Sequence, residues 1–193
     1  NPITANASCT TNSVAPVMKI LLKNFGIKKA TMTTVHSYTA TQKLVDGPDA
    51  KDPRRGRAAA ANIVPSSTGA AEAVIQAIPE LEGKFNAESV RVPTITGSLS
   101  IITALIDKKA HVESINKILE KSAGEERWSN VLKTTYDQIV SSDIINEPYG
   151  AIIDLSLTKV LDADFIKVLS WYDNEAGYTA TLVEHVKRIV EKL

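Results

Sequence analysis

Two segments near the start of the chain fix the kind of core it can build. Between Thr11 and Phe25 the apolar positions are Val14, Val17, Met18, Leu21, Leu22 and Phe25, the spacing of one helical face. Ala30-Thr31-Met32-Thr33-Thr34-Val35-His36 follows, is rich in β-branched residues, and reads as a strand ending at His36. An apolar helical stripe beside a strand is stable only when the stripe is buried on a sheet. Pro16 suits only the first turn of a helix, so the start is expected around Thr11–Ser13, and Gly26 is the stop.

The rest of the chain is strand-rich. Val90-Arg91-Val92-Pro93, Leu99 to Ile106, Val131 to Tyr136, Ile139 to Ile144, Ala151 to Leu155, Thr158 to Leu161 and Phe165 to Tyr172 read as strands, with Asp162-Ala163-Asp164 as a hairpin signal. Helices are expected at Ala58 to Ile63, at Ala70 to Ile78 after Ser66-Ser67-Thr68-Gly69, and around Val112, Ile115, Ile118 and Leu119. A last helix carries Leu182, Val186, Ile189 and Leu193 on one stripe, with Val183 and Val190 beside it. Ser37 to Ala58 is a long connection, and connections of that length are often functional. Clustered strands with few helices between them predict an α+β fold, a mixed and largely antiparallel sheet with helices on one face. No G-x-G-x-x-G occurs, so no dinucleotide-binding unit is evident.

Composition narrows the function classes. The chain has 22 basic and 22 acidic residues, which gives no global electrostatic reason for nucleic-acid or membrane binding. One cysteine cannot close an internal disulfide, and a free thiol suits a reducing cytoplasm. His111 and His185 lack a metal-site pattern around them, and no metal is expected. The chain begins Asn1-Pro2-Ile3-Thr4 and reaches Cys9 almost at once, which reads as a segment of a longer protein.

Three groups of residues could carry chemistry. Cys9 sits in Ser8-Cys9-Thr10-Thr11-Asn12 at a helix start, where the dipole would lower its pKa and free N–H groups could hold an oxyanion. His36, at a strand end, is a potential base for it. On these residues alone an inert thiol and a structural histidine remain open. Arg54, Arg55, Arg57 and Arg91 suit phosphate, and Ser66-Ser67-Thr68-Gly69 at a helix start adds N–H groups for the same anion. A solvated basic loop and ordinary helix capping are the alternatives. Asn174, in Trp171-Tyr172-Asp173-Asn174-Glu175, offers a donor and an acceptor suited to an amide-bearing ligand, or is part of a polar turn.

Together these residues resemble a known family. Ala7-Ser8-Cys9-Thr10-Thr11-Asn12 is similar to the active-site signature of the phosphorylating glyceraldehyde-3-phosphate dehydrogenases. Thr33-Thr34-Val35-His36-Ser37-Tyr38-Thr39, Arg54-Arg55-Gly56-Arg57, Ile63-Val64-Pro65-Ser66-Ser67-Thr68-Gly69-Ala70-Ala71, Arg91-Val92-Pro93-Thr94 and Trp171-Tyr172-Asp173-Asn174-Glu175 follow in the family's order. The resemblance covers essentially the whole chain, 1–193, as the catalytic domain with its C-terminal helix. The family's N-terminal Rossmann domain is absent from it.

The resemblance implies the site. Cys9 would attack the aldehyde of glyceraldehyde 3-phosphate, and His36 would activate the thiol and act as base during hydride transfer to NAD. Inorganic phosphate would release the thioester as 1,3-bisphosphoglycerate. Ser8, Thr10, Arg55, Thr68 and Gly69 would surround the attacking phosphate, and Thr39 and Arg91 would hold the substrate's own. Asn174, with Tyr178 nearby, would bind the nicotinamide carboxamide, and Pro48 goes with NAD rather than NADP. The stretch from Tyr38 to Ala61 would pack at a homotetramer interface. A cytoplasmic glycolytic enzyme is implied.

The chain also departs from the family. Ser13 stands where a second cysteine is common, and Ile95-Thr96-Gly97-Ser98 replaces the usual Pro-Asn-Val-Ser. Erythrose-4-phosphate dehydrogenase shares the scaffold, but Tyr172-Asp173-Asn174-Glu175-Ala176-Gly177 differs from its usual ending. A thiol acyltransferase or hydrolase, and a non-catalytic assembly domain derived from the enzyme, are the other classes. If the cofactor domain is absent, the last helix should leave its apolar stripe exposed or covered by another copy.

Overall fold

The computed structural model describes residues 3–191. The elements run α1 (Cys9–Phe25), β1 (Lys29–Ser37), β2 (Val64–Ser66), α2 (Ala70–Ala77), β3 (Phe85–Val92), β4 (Ser98–Leu105), α3 (Val112–Ala123), β5 (Leu132–Thr135), β6 (Ala151–Leu161), β7 (Phe165–Tyr172) and α4 (Ala176–Val190). The strands form one mixed sheet in the order β2-β3-β1-β4-β7-β6-β5. The β1–β3 and β5–β6 pairs are parallel and the rest antiparallel. This is the expected α+β architecture.

Helices α1, α2 and α3 pack together over the sheet. Val14, Val17, Met18 and Leu21 on α1 have no exposed surface, and with Met32, Ile102, Ile115, Leu119 and Val168 they make the core. Burying each such side chain contributes about 1.5–3 kcal/mol. Along β1 burial alternates with the period of a strand, so Met32, Thr34 and His36 are buried together.

Register then builds a polar end on this core. Met32 pairs with Ile102, which pairs with Val168, giving an apolar row. Two residues along, Thr34 pairs with Ser100 and Ser100 with Ser170, giving a hydroxyl row. Ser13 of α1 closes over that row, its hydroxyl 3.2 Å from Ser100 Oγ and 3.0 Å from Ser170 Oγ. The hydroxyl of Ser13 is therefore hydrogen-bonded within the row.

Several elements differ from the sequence expectation. Helix α1 begins at Cys9, earlier than Thr11–Ser13, because Ser8 caps it, with Oγ accepting from Thr11 N at 3.1 Å. Pro16 lies inside the helix. Ala58 to Ile63 forms only a turn, and Ile139 to Ile144 is not a strand. Ala151 to Leu155 and Thr158 to Leu161 are one strand, interrupted by a bulge between Asp154 and Lys159. Strand β3 starts at Phe85 and β2 is short, and neither start shows a clean alternation of apolar residues.

The long Ser37–Ala58 segment is folded on itself. Lys43 N donates to Arg55 O at 3.0 Å and Gly47 N to Gly56 O at 2.8 Å. Gly56 is required there, since a Cβ would lie 2.1 Å from the Gly47 carbonyl oxygen. The apolar stripe of α4 is exposed at Leu182, Val183, Val186 and Val190. Leu193 lies outside the described residues. Among the described residues no helix is long and apolar enough to cross a membrane, and no three metal-ligating side chains cluster.

Candidate active site

Cys9 is the first residue of α1, and Ala7 at φ 54° turns the chain sharply into the cap. The N-terminal N–H groups of α1 are thus presented around the thiol. Strand alternation turns His36 inward beneath them, with Nε2 3.5 Å from Cys9 Sγ. The imidazole is 3% exposed, so the sulfur faces a ring that water barely reaches.

Arg91 lies directly beside His36 because β3 pairs with β1 in the register His36↔Arg91. Its Nη1 is 2.7 Å from His36 Nδ1 and 3.0 Å from the Ser37 carbonyl oxygen. That carbonyl is also 2.7 Å from Nδ1. Burial, and then the Arg91 charge, push the His36 pKa down to about 4, so the ring is neutral near pH 7. Burial pushes the Cys9 thiol above its ordinary value, against hydrogen bonds from Thr10 and the Arg91 charge. The expected lowering by the helix N-terminus is overturned: desolvation of the thiolate outweighs its local donors.

Behind the thiol the hydroxyls are joined. Tyr172 Oη is 3.0 Å from Thr10 Oγ1 and 2.7 Å from Thr34 Oγ1. Its ring meets the His36 ring edge-on, with centroids 5.8 Å apart. Burial pushes the phenol up to about 12, which keeps it a neutral donor. The sequence alone does not mark Tyr172 and Thr34 as neighbours of the thiol and imidazole. Tyr172 ends a strand whose alternation signals only core, and a distant hydroxyl partner leaves no local sequence trace.

In front of the thiol is a cavity of about 400 Å3 lined by Ser8, Cys9, Thr10, His36, Thr68, Gly69 and Arg91, among others. Gly69 caps α2 and Thr68 Oγ1 accepts from Ala70 N at 3.2 Å, so two helix N-termini and a guanidinium front one space. That combination attracts anions.

The other predicted residues do not line this cavity. Arg55 Nη2 donates to Ser66 Oγ at 3.2 Å and Nε sits 3.6 Å from Asp52. Thr39 pairs with Thr41, Pro48 is exposed in the long loop, and Tyr178 is half-buried on α4. Asn174 is buried, with Oδ1 accepting from Ser37 Oγ at 2.9 Å and from Gly97 N and Ser98 Oγ at 3.2 Å. Its neighbour Asp173 anchors the turn by accepting from Asn146, Glu175 and Ala176 backbone N–H groups. Burial pushes the Asp173 carboxyl up, but these donors hold it below the ordinary carboxylate range.

A thiol at a helix start, a buried imidazole and a cavity fronted by two helix N-termini and a guanidinium form an arrangement of the class that can present a cysteine nucleophile to an anionic molecule. Residues 8–174 match the family described as glyceraldehyde 3-phosphate dehydrogenase, C-terminal domain. The chain belongs to this family. It is 46% identical to glyceraldehyde-3-phosphate dehydrogenase 3 of Saccharomyces cerevisiae, over 98% of this chain and 57% of that protein. Identity is 48% to the Neurospora crassa glyceraldehyde-3-phosphate dehydrogenase, over 97% of this chain and 55% of that protein. It is 50% to that of Mycobacterium tuberculosis, over 99% and 56%. The chain thus spans little more than half the length of these relatives.

Proposed function

We propose that the chain is the catalytic domain of an NAD-dependent phosphorylating glyceraldehyde-3-phosphate dehydrogenase, working with a dinucleotide-binding domain as a cytoplasmic homotetramer. The observation that carries this reading is the 3.5 Å approach of Cys9 Sγ and His36 Nε2 in a cavity shared with Arg91 and Gly69. Cys9 attacks the aldehyde carbon of glyceraldehyde 3-phosphate, and the α1 N–H groups hold the oxygen as it gains charge. His36, once its Nε2 lone pair is free, takes the proton of the resulting hydroxyl.

The residues present fit a nicotinamide. Asn174 Oδ1 is saturated by three donors, which fixes the side chain and leaves its NH2 group for a carboxamide oxygen. A bound nicotinamide would supply the hydride acceptor for the carbon attached to Cys9. Tyr178 and Pro48 belong to the same cofactor site in this reading. Cys9 is then left as a thioester. Inorganic phosphate, drawn by Ser8, Thr10, Thr68 and Gly69 at the cavity wall and by the charge of Arg55 outside it, attacks it and leaves as the acyl phosphate, returning the thiol. Thr39 and Arg91 hold the substrate's own phosphate meanwhile.

The test is NADH formation by the intact protein from glyceraldehyde 3-phosphate, NAD and inorganic phosphate. Withholding phosphate should leave an acyl group on Cys9, visible by mass spectrometry, and Cys9→Ala should abolish turnover. Turnover that survives Cys9→Ala, or that ignores phosphate, overturns the reading.

A further inference from the structure

Trp128 lines two adjoining cavities, and neither shares a lining residue with the one in front of Cys9. The first, about 140 Å3, lies between the C-terminal halves of α1 and α3 and the turn that follows α3. Four cations line it, Lys19, Lys23, Lys121 and Arg127, against one carboxylate, Glu125. The second, about 240 Å3, is mainly apolar, with Ala15, Pro16, Ala77, Ile78 and Val131 in its wall. Lys19, Arg127 and Trp128 belong to both. Together the two reach the lower end of the range for small-molecule sites, about 300–1,000 Å3.

Most of the positive charge there is unspent. Lys19 pairs with Glu80 at 3.3 Å. Among the described residues, Lys23, Lys121 and Arg127 form no ion pair. Helix dipoles account for Lys23 and Lys121, which stand in the last turns of α1 and α3. They do not account for Arg127, which lies outside both helices with its guanidinium 4.9 Å over the Trp128 ring. The chain has 22 basic and 22 acidic residues, so this is a local excess and not a global field. The turn is also held in place. Arg188 of α4 donates to the Arg127 carbonyl at 3.1 Å and to the Ser129 carbonyl at 3.3 Å, and Trp128 packs against the core. The turn that carries indole and guanidinium is therefore ordered before a ligand arrives, which lowers the cost of binding.

We propose that these two cavities form one binding site for a small aromatic phosphate monoester, separate from the catalytic cavity. The phosphate sits among Lys23, Lys121 and Arg127, and the ring lies in the apolar cavity against Trp128. Three unpaired cations suit a group with about two negative charges, which a phosphate monoester carries near pH 7 and a carboxylate does not. Arg127 joins the halves, because a guanidinium can fork phosphate oxygens and also stack on an aromatic face. A free phosphate would leave the apolar wall in water, and a neutral ring would leave the cations unmatched. Only a molecule with both parts uses the whole site.

The test is tryptophan fluorescence of the intact protein titrated with 4-nitrophenyl phosphate, whose nitro-aromatic ring quenches an indole that it touches. Trp128 and Trp171 are the two tryptophans of the chain. Saturable quenching is expected, and it should disappear in Trp128→Phe, where Trp171 reports alone. Arg127→Gln and Lys121→Gln should each raise the Kd at least about tenfold, the worth of one charge-assisted hydrogen bond. Inorganic phosphate and 4-nitrobenzyl alcohol, added as competitors, should each bind at least about tenfold more weakly than the probe, since each fills half of the site. No saturable quenching, or undiminished quenching in Trp128→Phe, overturns the proposal. So does a Kd that either charge substitution leaves unchanged, or a competitor that matches the probe. Arg127 and Lys121 are exposed, so their variants decide the matter if Trp128→Phe does not fold.

Discussion

Tyr172 Oη lies 2.7 Å from Thr34 Oγ1, joining strands 138 residues apart in the chain. The same oxygen reaches Thr10 Oγ1 at 3.0 Å, and the tyrosine is 1% exposed. Tyr172→Phe keeps the ring but strands two buried threonine hydroxyls. Each buried polar group left unpaired costs about 1–3 kcal/mol. Chemical denaturation should show a loss of that size. Unchanged stability would mean that the threonines re-pair elsewhere.

His36 ties stability to pH. Its folded pKa of about 4 lies below the ordinary 6.5, so near pH 7 both folded and unfolded states hold it neutral. As pH falls from 6.5 toward 4 the unfolded chain takes up a proton that the folded one refuses, and stability is lost. The loss is on the order of 3 kcal/mol across that window. Urea midpoints at stepped pH should show the slope in the parent protein and a flatter one in His36→Gln. Further loss at lower pH belongs to carboxylates such as Asp173, whose pKa is lowered by its donors.

Gly97 should not tolerate a side chain. Its φ is +89°, and a Cβ would lie 2.6 Å from the Ser141 carbonyl oxygen. Its N–H also holds Asn174 Oδ1 at 3.2 Å. Gly97→Ala should cost about 1–3 kcal/mol of stability. In the intact protein it should raise the KM for NAD more than it lowers kcat. An unchanged KM would separate Asn174 from cofactor binding.

The exposed stripe of α4 gives a prediction for the 193-residue chain by itself. Leu182, Val183, Val186 and Val190 are 38%, 49%, 52% and 64% exposed. Val186→Ser should therefore change the stability of the isolated chain by no more than about 0.5 kcal/mol. If α4 docks on a cofactor domain, the same change should destabilise the intact protein by more. The isolated chain should also form no NADH from glyceraldehyde 3-phosphate, and clear turnover by a verified preparation would contradict this division of labour.

Local sequence was enough for the parts that depend on near neighbours. The stripe from Val14 to Phe25, the Gly26 stop, the β1 run and the Asp162-Ala163-Asp164 turn each carry their signal within a few residues. The Cys9 and Arg91 motifs likewise singled out residues that line one cavity. The Ser8 cap that moved the start of α1 is itself a local signal, whereas the other errors fell where local pattern does not decide pairing: Ile139 to Ile144 gained no pairing strand, and the start of β3 lacked alternation. The pairing of His36 with Arg91 came from strand register alone, as did the Thr34–Ser100–Ser170 row under Ser13. Burial that raises the thiol pKa and lowers that of the imidazole comes from packing among distant elements. The sequence by itself determined which chemical groups were available, because propensity and spacing act over a few residues. Only the tertiary structure decided which group each one meets and in what protonation state, because desolvation and register are properties of the assembled sheet.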